Sequence, residues 1–235
     1  MSSKYEVRPI SKAVADRIVA AKHYRRTLGI FWEGFGLFDD ADEIVGVVCY
    51  GQPSAPIQRH AFESRDFRLY EMTRLVIDSG TLNGASILIG RSLQMLSVKP
   101  SAIISYADSG MGHVGIVYQA TNWVYTGAVK AHDSLYKVGN EVLHPTTVRD
   151  RYGVTNPTEW AKTNGVERVP PQPKHRYFQF VGNRRDRAKM KSLLKYPEVC
   201  KYPKAQRSLY DAGSMKCQDL LSGQAPVNLD LWGAA

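Results

Sequence analysis

Between Ser105 and Gly127 the chain reads SYADSGMGHVGIVYQATNWVYTG, and over this short span its periodicity changes from strand to helix and back to strand. SYAD closes a buried apolar run, PSAIISYAD, of strand length. Asp108, Ser109 and Gly110 then supply turn chemistry, and GHVGIVYQATNW follows with helical spacing before VYTGAVKA returns to a strand pattern. A strand that feeds a helix and then a second strand is the unit of an α/β sheet.

The flanking sequence extends this alternation. SKAVADRIVAAKHYRR reads as an amphipathic helix with Ser11 as N-cap and Val14, Ile18, Val19 and Lys22 at helical spacing. GIFWEGFGLF and IVGVVCYG read as two strands joined by the acidic turn DDADE. FRLYEMTRLVID is a further strand, and GTLNGASILIGRSLQMLSVK a helix opened by a Gly- and Asn-rich turn. The order helix, strand, strand, strand, helix, strand, helix, strand predicts a mixed sheet with parallel pairs, flanked by helices. Residues 1–182 form the expected catalytic domain, with a partly helical, Pro-broken insertion at about 133–170. Residues 183–235 form a basic C-terminal extension that ends in Gly/Pro-rich coil.

A net charge of +9 favours nucleic acid or another anionic partner. The charge is uneven: KHRYFQFVGNRRDRAKMKSLLKYPEVCKYPK sets Lys and Arg between aromatics, and HYRR repeats the pattern in miniature. Basic side chains neutralise phosphates while aromatic rings stack on bases. Arg25, Arg26, His113, Lys174, Arg176, Arg184 and Arg185 are therefore the expected DNA contacts, with Tyr24, Phe31, Trp32 and Tyr70 as stacking partners. No apolar run reaches the ~18 residues of a membrane span, and the first residues lack the apolar core of a secretory signal. Cys49, Cys200 and Cys217 have no zinc-like spacing.

Two segments, MTRLVIDSGTLNGASILIGRSL and GIVYQATNWVYTG, are similar to the GNAT acyltransferase fold. In that fold a strand of this type leads into the loop and helix that hold the donor, and a Tyr at the position of Tyr118 serves as general acid. Four segments in order, AKHYRR, EMTRLVID, SYADSGMGHVGIVYQATNWVYTG and KHRYFQFVG, resemble the Mom family of Mu-like phages. The resemblance implies transfer of a carbamoylmethyl (acetamido) group to the exocyclic amine of adenine in double-stranded phage DNA. It further implies protection from host restriction, in the host cytoplasm. His23, Tyr24, Asp108 and Tyr118 fall on the family's functional positions, and the resemblance extends to iron held by Tyr24, Asp108 and Tyr118. The donor site implied is Arg74 with Thr81, Asn83, Gly84 and Ser86. Its loop, DSGTLNGAS, lacks the basic residue that usually meets the pyrophosphate of acetyl-CoA, leaving backbone amides and the helix N-terminus to hold phosphates.

The chemistry sets further requirements. The adenine amine is a poor nucleophile because its lone pair is delocalised, so it needs placement and a base, for which Asp108 and His23 are the candidates. The target base must leave the duplex stack. Plain acetyl transfer yields N-acetyladenine. A glycyl group joined through its carbonyl is an isomer of the carbamoylmethyl product, which makes glycyl-tRNA, and hence tRNA as a partner, an alternative to acetyl-CoA. Two other functions fit parts of the sequence: an ordinary GNAT acetylating a small amine or a protein lysine, and a non-catalytic DNA-binding protein.

Overall fold

The computed structural model describes residues 4–23, 25–130, 135–139, 141–143, 145–170, 172–204 and 216–222. A short strand, β1 (Glu6–Pro9), precedes helix α1 (Lys12–Lys22), the strands β2 (Glu33–Phe38) and β3 (Ile44–Gly51), and a short helix α2 (Ala55–His60). Then come β4 (Arg68–Ile77), α3 (Gly84–Met95), β5 (Ser101–Asp108), α4 (Ile116–Ala120) and β6 (Val124–Val129). The expected insertion holds β7 (Leu135–Val138), β8 (Glu141–Leu143), α5 (Pro145–Tyr152), α6 (Pro157–Thr163) and β9 (Glu167–Val169). The chain returns through β10 (Lys174–Val181), α7 (Arg184–Leu193) and α8 (Cys217–Ser222).

Seven strands form one mixed sheet in the order β1-β2-β3-β4-β5-β10-β6. Its one parallel pair is β4–β5, bridged by α3; every other pair is antiparallel. Side chains alternate across the strands, so the sheet has two apolar faces. Leu37, Val48, Tyr50, Tyr70, Met72 and Ile103 pack against α3 and α4. On the opposite face Ile44, Val47, Cys49 and Val76 pack against α1 and α8, while Leu69, Ile104, Phe178 and Phe180 pack against α2 and α7. This is the α/β sheet flanked by helices that the alternation of patterns predicts.

Helix α1 starts where expected, with the Ser11 side chain accepting the Val14 amide at 3.3 Å. Ala15, Ile18, Val19 and Lys22 form its buried face. Lys22, spaced like a core residue, is buried and ion-pairs with Asp78, whose carboxylate also accepts the Cys217 amide at 2.8 Å. Removing one member of such a pair strands a charge in the interior, at a cost of about 3–5 kcal/mol.

Several elements lie outside the sequence expectation, among them α8, which packs on α1 and β3 within the stretch expected to be coil. β1 and α2 occur in stretches without a clear period. α7 belongs to the main body: Asn183 and Asp186 form a reciprocal cap, and Met190 is buried against the sheet. The stretch from Asn183 to Lys204 therefore packs on the sheet. The insertion is a three-stranded sheet, β8-β7-β9, with a small core of Tyr136, Leu143, Val148 and Ala161.

Candidate active site

β4 and β5 pair from Arg68↔Ser101 to Glu71↔Ile104 and then part, although both strands continue. The cause lies in β4. Met72 faces Tyr50 and Arg74 faces Cys49, so Thr73 is an extra residue on this strand, and such an insertion bends the strand that carries it. Ligands in open α/β sheets sit at the carboxyl ends of parallel strands. Here a pocket of about 630 Å³ opens at that point, lined by both strands, the end of α1, and the segment from Gly112 to Tyr118.

Strand alternation divides the lining. On the α3/α4 face lie Leu75, Ile77, Ala85, Val117, Ser105 and Tyr118, an apolar slot with two hydroxyls. Ser105 Oγ donates to the Met72 carbonyl at 3.0 Å, spanning the parted strands, and lies 2.9 Å from the Tyr118 hydroxyl. Ser105 has a single proton, which the carbonyl takes, so the hydrogen between the two hydroxyls is that of Tyr118. The Tyr118 ring is held against Trp123 and Tyr177, with centroids 5.1 and 5.0 Å away. Gly115 makes this packing feasible: its φ is +80°, and a Cβ there would lie 2.5 Å from the Tyr177 ring.

The other half of the pocket is charged. It holds His23 and Arg25 from the end of α1, Glu71 and Arg74 from β4, Asp108 from β5 and Lys174 from β10. Asp108 accepts the Gly110 amide at 3.0 Å on one carboxylate oxygen, and its other oxygen lies 3.6 Å from the Lys174 ammonium. Arg74 donates to the Thr27 and Thr73 carbonyls, each at 2.6 Å, fastening the loop after α1 to β4. His23 Nδ1 accepts the Arg25 amide at 3.1 Å. Burial, with Arg74, Arg25 and His113 nearby, lowers the His23 pKa to about 3, so the ring is neutral and carries its proton on Nε2. In this state His23 Nδ1 accepts a hydrogen bond and Nε2 is a donor, which leaves the ring no nitrogen for the base role expected of it. His113 also lines the pocket, and burial lowers its pKa against the opposing effect of Asp108.

The pocket brings together His23, Asp108, Tyr118, Arg25, Arg74, His113 and Lys174 of the residues expected from sequence. Tyr24 lies outside the described residues. Arg26 is exposed beside the pocket-lining Arg25, with φ of 51°. The expected donor loop does not line this pocket: of its neighbourhood only Ala85 does, while Thr81 borders a separate pocket of about 300 Å³. Asn83 caps α3 in a left-handed conformation, and Gly84 packs tightly between Thr81, Leu37 and Ile77, so these residues shape the helix start. Ser86 is half-buried on the first turn of α3 and is not among the lining residues.

Arg176 is half-buried and held within the fold. It donates to Thr126 Oγ1 at 2.8 Å and stacks on the Tyr196 ring at 3.4 Å. Arg184 and Arg185 are exposed but open α7 beyond the far end of β10. Tyr70 is buried and hydrogen-bonded to Glu33 at 2.6 Å, and Trp32 packs edge-on against it beneath Arg68, so neither is open to a base. Sequence reasoning gave no functional role to Glu71, Ser105 or Tyr106, all of which line the pocket. A polar residue on a buried strand just before the bulge is the signal that singles out Glu71.

Of the three residues that the resemblance would give to iron, Tyr24 lies outside the described residues. Asp108 already serves Gly110 and the Lys174 ammonium, Tyr118 directs its proton to Ser105, and a cation there would face Lys174. Among the described residues no three His, Cys, Asp or Glu side chains converge on one point.

Residues 4–204 match the Mom protein family. The methylcarbamoylase Mom of Escherichia phage Mu is 28% identical over 212 residues, covering 86% of this chain and 85% of that protein. Similar solved structures include spermidine N-acetyltransferase from Vibrio cholerae in complex with CoA and spermine, at 11% identity and a TM-score of 0.43 over 76% of this chain and 96% of that one. Another is Arabidopsis thaliana NAA60 in complex with acetyl-CoA, at 10% identity and a TM-score of 0.44 over 76% of this chain and 99% of that one.

Proposed function

This chain belongs to the Mom protein family, and from that membership and the two-sided pocket we propose that it is a transferase that modifies adenine in phage DNA inside the host cell. The group transferred is carbamoylmethyl, added at the exocyclic amine, and the product shields the DNA from restriction. The observation that carries this is the pocket at the parted strands, where an apolar slot with a phenol meets a charged chamber beneath basic residues.

The slot on the α3/α4 face receives the activated acyl donor. The chamber on the α1 face receives the adenine, flipped from the duplex at a cost of a few kcal/mol. Arg25 and Lys174 meet the phosphates beside the flipped nucleotide. His23 gives its Nε2 proton as a hydrogen bond to the incoming base or to the donor carbonyl. A neutral donor suits this task, because a third full positive charge beside Arg25 and Arg74 would be repelled. As the amine attacks the carbonyl carbon, Tyr118 passes its hydroxyl proton to the leaving atom, with Ser105 holding the phenol in line until then. The Asp108–Lys174 pair fixes the turn into α4, and with it the position of Tyr118. With a glycyl donor the first product is the N-glycyl amide, and its carbamoylmethyl isomer forms when the N6–carbonyl and methylene–nitrogen bonds exchange partners, N6 bonding to the methylene and the freed nitrogen to the carbonyl, with no atom gained or lost.

The test is expression of the full chain in bacteria, followed by digestion of the DNA to nucleosides and mass spectrometry. A deoxyadenosine heavier by a carbamoylmethyl group is the expected result, and its loss in Asp108→Ala is the second. Unmodified DNA from the wild type would sink the proposal. Purified protein supplied with acetyl-CoA in one arm and glycyl-tRNA in the other separates the donors. An acetylated amine or lysine with unmodified DNA would point to an ordinary acetyltransferase.

A further inference from the structure

Resting on that reading, we propose that Glu71 is the general base that takes the proton from the adenine amine. The pocket has two carboxylates in its lining, Glu71 and Asp108. Asp108 accepts the Gly110 amide on one oxygen and faces the Lys174 ammonium at 3.6 Å with the other, so it serves the turn into α4. His23 has Nδ1 occupied by the Arg25 amide and its other nitrogen protonated. Among the described lining residues Glu71 is the other carboxylate, and it stands where the two strands part.

Its place in the fold suits that task. Glu71 is the last β4 residue in register with β5, opposite Ile104, so it stands at the point where the strands part. Strand alternation sets it on the face of Leu69, within the charged chamber, while Met72 and Ser105 beside it belong to the donor face. Acceptor amine and donor carbonyl therefore meet within reach of this side chain. The Ser54 amide hydrogen-bonds the carboxylate and orients it. Burial raises the affinity of Glu71 for a proton, and the nearby Arg74, Arg25 and Lys174 oppose part of that rise.

The step balances. The adenine nitrogen bonds to the acyl carbon, and the bond from that carbon to its leaving sulfur or oxygen breaks, its electron pair leaving with that atom. The N–H proton goes to Glu71, the Tyr118 proton goes to the leaving atom, and solvent returns a proton from Glu71 to Tyr118.

The full chain expressed in bacteria, read by mass spectrometry of its DNA, provides the test. Glu71→Gln keeps the shape of the side chain but accepts no proton. It is expected to lower modified deoxyadenosine by about 10²-fold or more, with melting temperature and affinity for a short DNA duplex unchanged. Glu71→Asp, which keeps the carboxylate on a shorter arm, is expected to retain a measurable part of the activity. Wild-type modification by Glu71→Gln would overturn the proposal. So would a loss that tracks duplex affinity, or equal losses of activity and melting temperature in both variants. A wild type that leaves DNA unmodified would instead overturn the function proposed above.

Discussion

The two ends of β10 are both basic, and they differ in how the charge is held. At the start of the strand, Lys174 faces Asp108 in a half-buried pocket with His23, Arg25, Glu71 and Arg74. Beyond its end, Arg184 and Arg185 stand in solvent, and Lys189 and Lys191 pair with Asp66 and Glu198 on the surface. β10 spans eight residues, and at about 3.3 Å per residue the ends lie ~23 Å apart. The densest basic run of the sequence lies at the α7 end, whereas the pocket draws its charges from separate segments of the chain. Water and salt screen the α7 charges, while partial burial makes each pocket charge alter its neighbours. Density of charge marks a surface for phosphates; desolvation marks a place for chemistry.

Tyr118→Phe breaks the pocket end most directly. It removes the proton offered to the leaving atom while keeping the ring against Trp123 and Tyr177, so modification should fall by about 10²-fold or more at an unchanged melting temperature. Gly115→Val attacks the same end through its backbone. The positive φ and the contact with Tyr177 make it destabilising by about 1–3 kcal/mol, visible as a lower melting temperature together with lost activity. Replacing both Arg184 and Arg185 with Ala tests the other end. Duplex affinity should weaken several-fold, the slope of log affinity against log salt should shrink by about 2, and turnover at saturating DNA should persist. If turnover collapsed instead, the two ends would not be separable.

A smaller effect sharpens the contrast. His23 in the folded chain takes up a proton only near pH 3, against 6.5 when exposed. Between those values the unfolded chain binds the proton and the folded chain does not, so stability falls as pH falls through that window. In His23→Gln, melting temperature should decline less steeply from pH 6.5 downward. Smallest of all is Lys191→Ala, which removes an exposed pair with Glu198 at 2.7 Å and should change stability by about 1 kcal/mol at most in thermal melts.

Most of the sheet was legible because burial of alternate residues writes itself into the sequence. β3, β4 and β5 are apolar runs with clear ends, and Ser11 announces α1. Helix α4 is shorter than its pattern implied, since the stretch from Ser109 to Gly115 turns twice through left-handed glycines, Gly112 and Gly115. β1 and α2 are too brief to show a period, and α7 was hidden because a basic helix with one buried methionine resembles solvated coil. At the site, the His23, Asp108 and Tyr118 positions were legible as motifs. Glu71 and Ser105 were not, because their meaning depends on the bulge at Thr73 and the parting of two strands distant in sequence.

β6 and β10 are antiparallel neighbours, with Val129 beside Lys174, a geometry that two residues suffice to turn. The chain instead inserts a folded unit with its own small core, rooted at the end of the sheet where Asp108 faces Lys174. That makes the unit a graft: it enters and leaves through adjacent rungs of a ladder that would close without it. A change in its length or fold would leave in place the strands that line the pocket.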